Sequence, residues 1–374
     1  MASVKRVLVL THLFPRRNYP DYGMIAYNVA TRLGLLGLDV LILTRHLAEP
    51  RWAVNVPVQV REIAYPDSRL QRLPPGIVPN LFGYTQSIVG QMIFAAKAVA
   101  PAHAFQPDVV HSFGALTLPA ALTVRAFMGV PVVVSLEGTD FQRIRKSPVL
   151  TRWLGLADAV ICVSKDMFSD LTKRLADRSI HYCPPGVDLS VFSPGSANVR
   201  KPRLISVGRL DQVKRHDRLL QAAAIVFRQR PDLSLTILGR GPLREALREL
   251  ASTLGIQDKV QFGGIVGKRE LAELLRTSRL FVLSSDWEGT PKALLEALAC
   301  GTPAVVTDVG ECALLVQGAG RVASNHSSEA LADAILSVLG SDVWESYSRQ
   351  AVANAMLYSW PQVIKKVYEV YLAL

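Results

Sequence analysis

The sequence predicts an α/β protein made of two similar domains, each with a parallel sheet built from βαβ units. Three observations carry this. Short β-rich apolar runs alternate with helical stretches along nearly the whole chain. The alternation breaks once, at Pro184, Pro185, Gly186 and the stretch Ser193 to Pro202, which has the Pro and Gly content of a linker, and then restarts. The 374 residues suffice for two domains with ample cores at roughly 100 to 200 residues each.

The elements follow in order. In the first half, Val7 to Leu10, Val40 to Leu43, Val109 to His111, Val130 to Ser135 and Ala159 to Val163 are runs of strand length rich in β-branched residues. After the linker come Leu204 to Val207, Leu233 to Leu238, Val260 to Phe262, Leu280 to Leu283, Ala304 to Val306 and a weaker Gly320 to Val322. The last segment, Ser359 to Leu374, has helical period, with Val363, Val367, Val370 and Tyr371 on one side. The expected domains are 1–194 and 195–359, with a terminal helix over about 360–374.

Composition excludes several classes. Charged residues are 20% of the chain and no Ser, Gln or Pro tract occurs, which removes disorder, collagen and coiled coil. Pro15, Arg16 and Arg17 stand where a signal peptide would place small cleavage-site residues, so the N-terminal apolar run reads as a strand and the expected location is cytoplasmic. The most membrane-like stretch, Leu81 to Val99, is interrupted by Gln86, Gln91 and Lys97. Cys162, Cys183, Cys300 and Cys312 lack C-x-x-C spacing, which argues for reduced thiols and against structural zinc or a disulfide framework. The seven His form no ligand-like cluster, and neither G-x-G-x-x-G nor G-x-x-x-x-G-K-[ST] is present, which disfavours dehydrogenases and P-loop NTPases.

The net charge of +11 calls for anionic partners: nucleic acid, an anionic membrane surface or a phosphorylated ligand. Through Ser190 there are 20 Lys+Arg against 13 Asp+Glu, so the first half is the more basic. No Lys/Arg run interleaved with aromatics appears, so nucleic acid is not expected. Arg69, Arg72, Leu73, Ile77, Leu81, Phe82 and Tyr84 form a basic, apolar segment that suits peripheral contact with an anionic membrane, and equally an ordinary loop and helix.

Parallel sheets bind ligands at the carboxyl ends of their strands. Three loops of the second half are therefore informative. Gly208 and Arg209 lead to Lys214 after one strand; Gly239-Arg240-Gly241-Pro242 opens a helix at Leu243 after the next. The third, Asp286 to Lys292, makes Thr290 a helix N-cap and Pro291 the first helical residue, with Gly301 and Pro303 ending that helix. Cations and bare helix amides together describe an anion site, most naturally for a diphosphate. Glu288 before the helix and Glu296 within it are acceptors that suit vicinal hydroxyls on the two sides of such a group.

The segments SVGRL-x4-K, LGRGPL, VQFGGIV and DWEGTPKALLEALACGTPAVVTDVG resemble the C-terminal half of the retaining, glycogen-synthase-like "group 1" glycosyltransferases (family 4). In the first half FP-x7-G, QPDVVHSFG, PVVVSLEGTD, ADAVICVSKDM and PPGVDLSVFSP match in order, so the resemblance covers nearly all of 4–374. It implies the GT-B architecture: two Rossmann-like domains facing a cleft and a closing helix that crosses back, for which Ser359-Trp360-Pro361 is the matching sequence. It also implies that Arg209 and Lys214 bind the donor diphosphate with Gly208, Arg240, Gly241 and the amides of Gly289, Thr290, Pro291 and Lys292. By the same resemblance Glu288 holds donor-sugar hydroxyls, Glu296 the ribose, and Phe262 to Val266 border the base. Tyr22 and Gly23 would lie near donor phosphate and acceptor.

Family members need no divalent metal at this site, and no Asp-x-Asp pair occurs in a donor loop, so no metal or other cofactor is expected. The chain departs from the family's His-Gly-x-Asp at Glu137-Gly138-Thr139-Asp140, where Glu137, at a catalytic position by the resemblance, can accept a sugar hydroxyl or stabilise an oxocarbenium-like charge but cannot donate as an imidazolium does. Pro185, where Asn is common in P-N-G-V-D, is a turn variation. The resemblance thus implies retaining transfer of a sugar from a UDP- or GDP-type donor to a hydroxyl acceptor, a glycan or lipid-linked glycan of cell-surface polysaccharide or glycolipid synthesis. A nucleotide-sugar epimerase and a non-catalytic donor-binding subunit stay open as alternatives.

Overall fold

In the computed structural model, which describes residues 4–15, 23–46, 57–64, 79–195, 200–339 and 343–374, the strands form two all-parallel sheets. The first contains β1 (Arg6–Thr11), β2 (Asp39–Arg45), β3 (Gln59–Ile63), β4 (Val109–Phe113), β5 (Val132–Leu136), β6 (Ala159–Cys162) and β7 (Ser179–Tyr182), in the order β3-β2-β1-β4-β5-β6-β7. The second contains β8 (Lys201–Val207), β9 (Ser234–Leu238), β10 (Val260–Gly264), β11 (Ser278–Leu283), β12 (Ala304–Val306) and β13 (Gly320–Val322), in the order β10-β9-β8-β11-β12-β13. Both are doubly wound, and in each the strand order reverses once, between β1 and β4 and between β8 and β11.

The chain divides into two units: Met1–Val163 with Met167–Cys183 and Ile364–Leu374, and Ser164–Asp166 with Pro184–Val363. In the first, β4, β5 and β6 are buried along their whole length because helices cover both faces, which is why they read as unbroken apolar runs. The membrane-like stretch lies in the helix Pro79–Phe105, whose Phe94, Ala95, Ala98 and Ala102 are buried in this core while the Lys97 ammonium donates to the Ala64 carbonyl at 2.8 Å. Among the described residues no helix is long and apolar enough to cross a membrane. The final helix, Trp360–Leu372, buries Val363, Val367, Val370 and Tyr371, the side its period marks. His111 of β4 is fully buried, with Nδ1 2.6 Å from the Tyr371 hydroxyl and Nε2 2.7 Å from that of Ser135. Burial pushes its pKa down to about 3, so the ring is neutral.

The second sheet is sandwiched between two apolar clusters, one centred on Leu219, Leu235 and Ile335, the other on Phe281, Leu295 and Leu298. All four cysteines are free and buried, and burial raises each thiol; Cys162, Cys183 and Cys300 are pushed up to about 12.

The structure corrects the sequence reading at several places. β3 and β7 were not expected; they are edge strands, one with alternating exposed and half-buried residues and the other only four residues long, so neither gives an apolar run. β8 begins at Lys201 and absorbs Pro202, which the linker reading had claimed; Pro is tolerated there because Lys201 and Pro202 are exposed at the strand's start. Two helices start one residue later than expected, at Arg244 and at Lys292.

Candidate functional site

The switch point between β8 and β11 sets the second unit's site, because the loops after those two strands must both open at the sheet's carboxyl edge. After β8, Asp211 makes the turn: its carboxylate accepts from the amides of Val213 at 3.1 Å and Lys214 at 3.2 Å and starts the short helical turn Gln212–Lys214. The same carboxylate pairs with Arg209 at 3.0 Å, which leaves the Arg209 side chain 76% exposed. Arg209 is therefore presented on the surface by a carboxylate that is already occupied with the loop's own amides.

The loop after β9 interlocks with it. Gly239 has φ of +137°, and a Cβ there would meet the Gly208 carbonyl oxygen at 1.8 Å; one on Gly241 would meet that of Leu210 at 2.2 Å. Leu210 and Arg240 are joined through a backbone bond of 3.0 Å, and the Leu243 amide donates back to Leu210 at 3.0 Å. Two glycines thus let the loops press together with no side chain between, and hold Arg240 exposed at the helix start.

After β11 the chain brings Glu288 to Lys214. The Lys214 ammonium lies 2.5 Å from Glu288 Oε1, and the Ser285 hydroxyl donates to the same oxygen at 2.7 Å. Glu288 is 7% exposed and the Lys214 side chain 20%, so the pair is half-sheltered, with the lysine on the wetter side. Ser285 is held in turn by its carbonyl, which accepts from Thr307 at 2.6 Å. Ser284 clamps the first loop, its hydroxyl lying 3.0 Å from the Lys214 carbonyl and 2.9 Å from that of Arg215.

Beside this pair runs an arginine–carboxylate network that the sequence reading gave no role. Arg215, in the left-handed region with φ of 48°, forks onto Asp217 and reaches Asp286 at 2.9 Å. Arg218, 4% exposed, binds the other Asp286 oxygen at 2.7 Å and the Ser284 carbonyl at 2.8 Å. Burial pushes the Asp286 carboxyl up, but the two arginines outweigh it and hold it below its usual range. His216, between them in sequence, is buried; burial first, and the Lys214 charge next, push its pKa down to about 4, and its Nδ1 has no partner among the described residues.

At the helix Lys292–Ala299 the N-cap is Pro291, not Thr290. The Thr290 hydroxyl donates instead to the Glu311 carboxylate at 3.0 Å, while the Glu311 amide donates to the Gly289 carbonyl at 3.1 Å. The loop is thereby tied to the segment after β12, a partner twenty-one residues downstream that no local capping pattern reveals. The helix's first turn carries no acidic side chain, and Lys292 on it is exposed. Glu296 is half-buried in the second turn, and Gly301 ends the helix at φ of +68°. Val266, half-buried after β10, packs on the neighbouring apolar cluster. A concavity of about 400 Å³ lined by Lys201, Arg203 and Lys259 lies at the opposite, amino-terminal edge of the sheet, where none of these loops converge.

In the first unit, Gly23 caps the helix Met24–Leu35 with φ of 63°, and a Cβ there would meet the Leu13 carbonyl oxygen at 2.0 Å, so the loop after β1 folds back tightly. Tyr22 lies outside the described residues, as do Arg69, Arg72, Leu73 and Ile77 of the basic segment. Glu137 sits at the carboxyl end of β5 as the N-cap of the helix Gly138–Arg145, and its amide donates to Asp140 at 3.3 Å. Asp140 is 7% exposed, and burial raises its carboxyl against the pull of the backbone amides of Glu137 and Ala115. Among the described residues no group of His, Cys, Asp and Glu is arranged to hold a metal ion.

Two doubly wound sheets, with a cation-lined carboxyl edge at the switch point of the second, define an α/β class whose ligands sit at the carboxyl ends of the strands. The comparisons with known proteins narrow it. The profile described as "Glycosyltransferase Family 4" matches residues 23–191 and that described as "Glycosyl transferases group 1" matches 192–355, so the chain belongs to the group 1, family 4 glycosyltransferases. The chain is 27% identical over 383 residues to a D-inositol 3-phosphate glycosyltransferase of Acidothermus cellulolyticus, covering 92% of this chain and 83% of that one. It is 28% identical over 397 residues to that of Nocardiopsis dassonvillei, covering 94% and 89%. Among solved structures it is similar to a sucrose-phosphate synthase of Thermosynechococcus elongatus, with a TM-score of 0.77 at 17% identity over 99% of this chain and 98% of that one. An Anabaena protein, HepE, solved with UDP and glucose, gives 0.74 at 16% over 99% and 100%. These structures share the GT-B fold.

Proposed function

We propose that this glycosyltransferase moves a sugar, with retention of anomeric configuration and without a metal ion, from a UDP- or GDP-type nucleotide sugar to a hydroxyl on a glycan or lipid-linked glycan. The observation that carries the reading is the Lys214–Glu288 pair at the switch point, flanked by exposed Arg209, Arg240 and Lys292. As the glycosidic bond breaks, negative charge develops on the leaving diphosphate. Arg209, Lys214 and the amides from Gly289 to Lys292 are the groups that oppose it. Glu288, paired with Lys214, accepts from donor-sugar hydroxyls, Glu296 from the ribose, and Gly208, Gly241 and Val266 border the nucleotide. Glu137 takes the hydroxyl contact in the first unit, and Tyr22 and Gly23 border the acceptor. The acceptor hydroxyl attacks from the face the diphosphate leaves, and its proton passes to the departing phosphate oxygen, so no carboxylate nucleophile is required.

Support for the transfer comes from the family membership and the relatives' names; that one solved neighbour holds UDP agrees with a uridine donor. The test is a thermal-shift screen of UDP-, GDP- and ADP-sugars, followed by acceptor-dependent nucleotide release in the presence of EDTA and NMR of the product anomer. A stabilising donor, release that survives EDTA and a retained anomer are expected. Donor binding with no release would favour the non-catalytic reading. An epimer formed without acceptor would favour the epimerase.

A further inference from the structure

From Phe141 to Leu156 the chain has four cations, Arg143, Arg145, Lys146 and Arg152, and no acidic residue. All four are exposed, and none of them sits in an ion pair among the described residues; Arg145 instead lies over the Phe141 ring at 5.6 Å. The same run exposes three large apolar side chains: Val149 is 60% exposed, Trp153 40% and Leu156 50%. Val149, Arg152 and Trp153 are spaced i, i+3, i+4 on the helix Pro148–Leu154, so they share one face, while Leu154 behind them is buried in the core.

Single exposed apolar residues are ordinary and need no explanation. Three within eight residues, one of them Trp, set among cations of which only Arg143 feels a neighbouring carboxylate of the described residues, that of Asp140, are a different case. An acidic protein partner would be met by charge alone, and single-stranded nucleic acid by Trp stacking. Aliphatic Val149 and Leu156 beside an indole fit a hydrocarbon boundary better, because an interfacial segment places its apolar side in the acyl region and its cations among the headgroups.

We infer that the surface formed by Arg143, Arg145, Lys146, Val149, Arg152, Trp153 and Leu156 docks on an anionic lipid bilayer. It begins six residues after Glu137, on the helix that Glu137 caps, and continues onto the next helix, so in the chain it follows directly on the residue assigned above to the sugar contact. The inference deepens that acceptor reading, yet rests on the surface alone: a chain that bound vesicles and transferred no sugar would retain it.

The test is sedimentation of the full chain with vesicles of phosphatidylcholine alone and of phosphatidylcholine mixed with phosphatidylglycerol, at low and high salt. Binding to the mixed vesicles only, weakened by salt, is expected. Each cation removed costs about fivefold in partition, so Arg143→Gln, Lys146→Gln and Arg152→Gln together lower it about 100-fold. Quenching by lipid-borne quenchers falls in Trp153→Phe, while thermal stability and acceptor-dependent nucleotide release with a soluble acceptor stay at wild-type levels. Wild type that ignores the mixed vesicles, or triple-variant binding equal to wild type, overturns the inference. So does retention on an oligonucleotide in place of vesicles. Because the wild-type and salt measurements need no variant, a substitution that fails to fold leaves the inference refutable.

Discussion

Replacing Lys214 by Met separates the structural work of the Lys214–Glu288 pair from its proposed work on the donor. Glu288 is 7% exposed, and its Oε1 receives the Lys214 ammonium at 2.5 Å and the Ser285 hydroxyl at 2.7 Å. Removing one partner of a buried pair costs about 3–5 kcal/mol, because the other charge is left in poor dielectric. Here the lysine side is 20% exposed and Ser285 keeps donating, so a loss of about 2 kcal/mol is expected. In a unit of this size that lowers Tm by about 4–8 °C. The double variant Lys214→Met/Glu288→Gln no longer buries a bare charge and recovers most of that loss. The rate behaves differently: a preorganised cation facing the leaving diphosphate is worth about 10²–10³-fold in turnover, and the double variant does not restore it. Urea unfolding and acceptor-dependent nucleotide release, measured on the two variants in parallel, read the two effects independently. If transfer by the double variant returns together with its stability, Lys214 only solvates Glu288 and the charge-stabilisation argument is wrong.

Two further outcomes follow from the geometry. Gly239→Ala places a Cβ 1.8 Å from the Gly208 carbonyl oxygen at a φ of +137°, so it should destabilise by about 3 kcal/mol or more and weaken donor binding; an unchanged unfolding midpoint would show that the two loops are not pressed together. Acid should cost stability through His111: its folded pKa of about 3 lies below the ordinary imidazole value of 6.5, so its contribution is complete above pH 6.5 and falls by about 1.4 kcal/mol per unit as pH drops toward 3. His216, also depressed, adds in the same window, and a wild-type slope between pH 6.5 and 5 no steeper than that of His111→Asn would count against a buried neutral ring.

The central strands were legible because burial on both faces writes itself as consecutive Val, Ile and Leu, and β12 falls where the sequence places it. The edge strands β3 and β7 of the first sheet escaped for the converse reason, since β3 keeps Gln59 and Arg61 in water, whereas the second sheet's edges, β10 and β13, were still placed from sequence. In the candidate site, loops marked by Gly and by clustered cations announce themselves locally, whereas partners across the sheet do not. Lys214 and Glu288 are seventy-four residues apart, and only the reversal of strand order at β8 and β11 makes them neighbours.

Net charge shows the same limit more sharply, because a sum cannot say which cations are already spent. Arg215 and Arg218 belong to the surplus of +11, yet Asp217 and Asp286 consume them inside the loop network. Arg240 and Lys292 stay exposed, with no ion pair among the described residues, at the edge where a diphosphate would lie. Arg145, Lys146 and Arg152 are likewise exposed with no ion pair among the described residues, but they stand in the first unit on the stretch that exposes Trp153, and neither the motifs nor the overall charge singled them out. An unpaired cation costs nothing in water and stabilises nothing there either. What these residues do must therefore be sought in what approaches them, which is why the two exposed groups, one at a helix N-terminus and one among aliphatic side chains, call for chemically different partners.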